Sequence, residues 1–124
     1  MNDSVSREIA LIVYELTSEF LRCVESGQLS SLRQDFHIND EVLAEINEAL
    51  SSYGENSEGW TLPPKDLAFS GALRVFEIFR MNEPAKVGIE SSLWLSAQEQ
   101  EPVIHAEVDF SGVKAVFHYR YIGS

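Results

Sequence analysis

One change of rhythm constrains this chain more than any other feature. Up to Tyr53 the apolar residues recur every three or four positions, and from about Ala72 onward they tend to alternate. The first spacing puts apolar side chains on one face of a helix, and the second puts them on one face of a strand. Helices first and strands afterwards imply an α+β domain: two N-terminal helices packed on a four-stranded antiparallel β-meander. The chain has 124 residues, with neither an internal repeat nor a dividing linker, so 1–124 reads as a single domain. The helices are expected to cover one sheet face and leave the other partly solvated.

The first helix is expected over residues 5–26. Val5, Ile9, Ile12, Val13, Leu16, Phe20 and Val24 form its stripe, Asp3 or Ser4 its cap, and Gly27 its stop. The connector that follows holds Leu29, Leu32 and Phe36 as candidates for burial. The second helix is expected from Asp40 to Tyr53. Asn39 caps it, Ile38 and Leu43 are placed as a hydrophobic staple, and Gly54 ends it. The stretch "GENSEGWTLPPKDLAFSG" is a loop by composition, with Trp60 and Leu62 pinning it to the core.

Four strands follow: "ALRVFEIFRM", "KVGIESSLWLS", "VIHAEVDF" and "VKAVFHYRYI", with "AQEQEP" as an acidic turn before the third. A two-residue turn at Ser111-Gly112 would pair Phe110 with Val113, Val108 with Ala115, Ala106 with Phe117 and Ile104 with Tyr119, all on an apolar face. The opposite face would then pair Asp109 with Lys114, Glu107 with Val116 and His105 with His118. Glu107 would lie diagonal to His118.

Two histidines and a carboxylate suit acid–base chemistry or a metal. Set against that, His105, Glu107 and His118 also make an ordinary polar face of an amphipathic hairpin. No nucleophile elbow, Gly-rich phosphate loop or CxxC pair accompanies them. The expectation is therefore no catalytic residue, no metal and no cofactor. The lone Cys23 lies on the apolar side of a helical pattern and reads as a buried small hydrophobe, which favours a reducing compartment. The N-terminal segment has neither the basic start of a signal peptide nor the length of a membrane span, so a cytoplasmic location is expected.

Charge says more. Twenty acidic residues oppose nine basic ones, a net charge of −11. Such a chain repels nucleic acid and anionic membranes and attracts a basic protein. The acid is also concentrated: from Gln34 to Pro64 stand Asp35, Asp40, Glu41, Glu45, Glu48, Glu55 and Glu58, without one Lys or Arg. Glu41, Glu45 and Glu48 share a helix face opposite the apolar stripe. These three, with Glu55, Glu58, Asp109, His105 and His118, are the candidate partner-binding residues.

The two N-terminal helices, the "LPP" loop, "SSLWLSAQEQEPVIHAEVDF" and the closing "FHYRYI" strand together resemble small acidic immunity proteins. These belong to bacterial contact-dependent growth inhibition and related polymorphic toxin systems. The resemblance spans the whole chain in architecture and charge, and rests on no diagnostic motif. It implies binding rather than catalysis: a cognate toxin, such as a nuclease, blocked at its basic active-site region. A cytosolic interaction or adaptor module is the alternative. A small enzyme using His105, Glu107 and His118 is the third reading.

Overall fold

The first helix begins where a serine can hold its end. Ser6 lies in extended backbone and its hydroxyl accepts the Ile9 N–H, so α1 runs Arg7–Ser26. The computed structural model describes residues 5–54, 59–70 and 75–123, so a cap at Asp3 or Ser4 lies outside the described residues. At the other end Gly27 takes a left-handed φ of 67°, and the Gln28 N–H reaches back to the Cys23 carbonyl. That pattern closes a helix on a residue without a Cβ.

The buried face of α1 is rotated from the expected one. Ile12 is 43% exposed, whereas Tyr14 and Thr17 are buried. Both can enter the core because their hydroxyls are satisfied: Tyr14 donates to the Pro63 carbonyl at 2.6 Å, and Thr17 to the Val13 carbonyl at 2.7 Å. Cys23 is fully buried, and desolvation pushes its thiol upward.

A short helix, α2 (Leu29–Gln34), fills the connector. It buries Leu32, and Phe36 follows it into the core, but Leu29 stays exposed. Next, α3 spans Asp40–Tyr53, with the Asn39 side chain accepting the Val42 N–H at 2.8 Å. Ile46 and Leu50 are buried beneath it, and Leu43 packs on the same core as Ile38. One further turn, α4 (Lys65–Ala68), follows the two prolines.

The sheet comprises β1 (Phe76–Arg80), β2 (Lys86–Leu95), β3 (Gln98–Asp109) and β4 (Val116–Gly123), antiparallel and in sequential order. Its inner face meets the helices. Phe20 of α1 stacks on Phe117 with centroids 4.9 Å apart and on Tyr119 at 5.5 Å, and meets Phe36 edge-on at 5.5 Å. Tyr14 packs edge-on against Phe76.

Two of the three strand connections, β2–β3 and β3–β4, differ from their expected places. The β2–β3 turn is only Ser96-Ala97, both left-handed at φ 49° and 65°, with Leu95 opposite Gln98. The residues read as an acidic turn, from Gln98 to Pro102, therefore belong to β3. No glycine or asparagine marks the turn, so its site was hidden from composition. In the last hairpin Asp109 pairs with Val116, which leaves Phe110 to Ala115 as the loop and displaces Ser111-Gly112 from a tight turn. Val108 faces Phe117 and Ala106 faces Tyr119; then a bulge after His105 shifts the ladder again, so Ile104 faces Ile122. The cause is local. The Asp109 carboxylate accepts the Ser111 N–H at 2.8 Å, and the Phe110 N–H donates to the Ala85 carbonyl instead of pairing with Val113.

The Gly59–Pro64 segment is held from both layers. Thr61 exchanges two backbone hydrogen bonds with Trp94, at 2.9 and 2.8 Å. Glu25 accepts the Gly59 N–H, and Trp60 and Leu62 are buried.

Two substitutions test this account by urea denaturation. Tyr14→Phe removes a buried hydrogen bond to Pro63, so stability is expected to fall by about 1–3 kcal/mol with the m-value unchanged. An unaltered midpoint would show that the loop is held without it. Ala97→Gly is expected to raise stability by up to about 1 kcal/mol, because the left-handed strain outweighs the flexibility that glycine adds to the unfolded chain.

Candidate functional site

An acidic helix face

The sequence makes α3 amphipathic, and packing decides which side faces out. With Ile46 and Leu50 buried against the sheet, Glu41, Glu45 and Glu48 project into solvent. The basic residue just before this acidic run, Arg33, is paired with Asp40 at the first turn of α3: its guanidinium lies 2.7 Å from that carboxylate. That exposed pair adds little stability, roughly 0–1 kcal/mol. It does take up Asp40 and leave the three glutamates, none of which has an ion-pair partner among the described residues. Glu55 and Glu58 lie outside the described residues.

Of the three, Glu45 lies near enough to the seam between α3 and β4 to act on Tyr119. Burial there pushes the Tyr119 phenol up to about 12; the Ile122 backbone opposes the shift, and the Glu45 carboxylate adds to it.

The hairpin face

The predicted meeting of His105 with His118 does not occur. His105 lies opposite Tyr121, with the rings stacked 4.1 Å apart and 12° from parallel, and its Nδ1 is 3.6 Å from the Glu90 carboxylate. His118 lies opposite Glu107. Its ring neighbour is the third histidine, His37, at a centroid distance of 6.2 Å. Sequence reasoning missed His37 because it sits in an irregular connector. The available signal was its place between the apolar Phe36 and Ile38; both are buried, and at a left-handed φ of 57° His37 itself is exposed.

Glu107 is largely covered and has Arg120 at 3.7 Å. Asp109 is held below the usual carboxylate range, first by hydrogen bonds from the Ser111 hydroxyl and N–H and then by the positive charge of Lys86. The outer hairpin face is thus a patchwork of local pairs, while the α3 face is a uniform field. Among the described residues no three His, Cys, Asp or Glu side chains converge as a metal-ligand set, and no helix is long and apolar enough to cross a membrane.

Tyr119 gives a test of the seam. A folded-state phenol raised from its ordinary 10.0 contributes stability that is fully present below pH 10 and is lost as pH rises towards 12. Tyr14 is raised by burial in the same direction. Urea midpoints between pH 9 and 11.5 should therefore fall for the wild type and fall less steeply for Tyr119→Phe. Parallel curves would show that Tyr119 ionises freely in the folded state.

No family model, curated protein or solved structure matches this chain.

Proposed function

We propose that this protein is a cytoplasmic binding protein that captures a basic protein partner, in the manner of an immunity protein that neutralises a cognate toxin. The partner under this reading is a toxin domain such as a nuclease, whose phosphate-binding cleft carries the complementary charge. The observation that carries the proposal is the exposed Glu41–Glu45–Glu48 face, left unneutralised while Arg33 is paired with Asp40. Carboxylates on a rigid helix stand in for phosphates at fixed spacing. They also draw in an oppositely charged partner before contact, which raises association rates by orders of magnitude at low salt. His105, His118 and Asp109 would contribute at the margin, through the hairpin face.

A second reading, a general interaction or adaptor module, is favoured by Leu11 and Ile12. These adjacent aliphatic residues of α1 are each 43% exposed, on a different surface from the acidic face.

Charge reversal separates the two. With the product of a neighbouring toxin gene as partner, Glu41→Lys/Glu45→Lys/Glu48→Lys is expected to slow association at least about tenfold. The apolar stripe is untouched, so the urea midpoint should hold. The wild-type association rate should fall as salt rises. A salt-independent rate, unchanged in the triple variant but lowered by Leu11→Ser/Ile12→Ser, would move the function to the α1 surface.

A further inference from the structure

The helices all pack on one side of the sheet, and the other side carries a pattern that the α3 face does not explain. One row of partners crosses all four strands: Glu77, Glu90, His105 and Tyr121. Glu77 and Glu90 stand directly opposite each other and both are exposed. Like charges so placed destabilise a strand pair. At the far end of the row Tyr121 is 55% exposed, its ring supported by the stacked His105.

The neighbouring row holds a second outward aromatic. Phe79 pairs with Gly88, and a Cβ on Gly88 would come within 2.3 Å of the Phe79 ring. The glycine therefore lets that ring lie against the sheet. Aromatic rings beside exposed carboxylates, Glu77 with no ion pair among the described residues and Glu90 with only the His105 imidazole beside it, are the chemistry that receives arginine. Its planar guanidinium pairs with carboxylates and also stacks on ring faces, which lysine does far less well.

We infer that this outer sheet face is a second docking surface, which receives arginine side chains of the basic partner along the row from Glu77 and Glu90 to Tyr121. The inference rests on the proposed reading that the partner is a basic protein, and it adds what that reading lacks: a preference for arginine over lysine. Charge argues against the other occupants. A second copy of the chain would bring the same carboxylates face to face, and nucleic acid or an anionic membrane would meet like charge.

The test is a titration of the ¹⁵N-labelled full chain with two capped peptides, one of alternating glycine and arginine and one of alternating glycine and lysine, followed by NMR. Saturable shifts are expected at Glu77, Glu90, His105 and Tyr121, with the arginine peptide binding several-fold more tightly. Tyr121→Ala should weaken arginine-peptide binding about fivefold, the contribution of one exposed cation–π contact. Glu90→Gln, at an exposed strand position, should do the same if Tyr121→Ala fails to fold.

Saturable shifts confined to Glu41, Glu45 and Glu48 would overturn the outer-face site and leave the basic-partner reading standing. Equal affinity for the two peptides, with neither substitution having an effect, would reduce the outer face to diffuse attraction and overturn the inference. No saturable shift anywhere would count against both.

Discussion

The fold turns on Phe20. This fully buried ring touches Phe36 in the connector and both Phe117 and Tyr119 on β4, so one side chain joins α1, the approach to α3 and the edge of the sheet. Each such aromatic pair contributes about 0.5–1.5 kcal/mol beyond burial of its area. The geometry matters as much as the energy. Phe36 stands three residues before the Asn39 cap, and Ile38 beside that cap is also buried. Anchoring both sets where α3 starts, and hence which way its glutamates point. The orientation of the acidic face is thus a consequence of core packing well away from it.

The two charged surfaces follow from different backbone geometries. On α3 the 3.6-residue turn gathers three like charges on one side, and the nearest guanidinium is diverted to Asp40. On the sheet, neighbours come from different strands, so charge meets whatever the register supplies: arginine beside Glu107, histidine beside Glu90, and a second carboxylate opposite Glu90. A helix builds a field from a few consecutive turns of sequence, while a sheet face depends on pairings remote along the chain.

That difference explains what could be read in advance. α3 was legible to the residue because cap, stripe and stop are all local, and the exposure of Glu41, Glu45 and Glu48 followed from it. The α+β architecture was legible from the change of apolar period. The last hairpin was not. Alternation identifies which face a residue occupies, and Ala106, Val108 and Phe117 are all inward as expected. A shift by two positions preserves that alternation, so the apolar match that favoured Val108 opposite Ala115 fits Val108 opposite Phe117 equally well. The choice lay with the Asp109–Ser111 turn and the bulge after His105, both matters of hydrogen bonding and not of pattern. With the register went the predicted histidine pair, because a cross-strand contact is only as secure as the turn that aligns it.

The bridge between Thr61 and Trp94 has a role beyond holding its loop. Among the described residues the β1 side of β2 is bonded as far as Ser92, whose N–H donates to the Val75 carbonyl, and without Thr61 the margin beyond it would be open among them. An open margin of this kind, beside an apolar Leu93-Trp94 pair, is a template on which another extended chain can add. Thr61 takes up both the N–H and the carbonyl of Trp94. The proline-rich segment thus works as an edge guard at Trp94: it occupies the backbone groups that an aggregating strand would need.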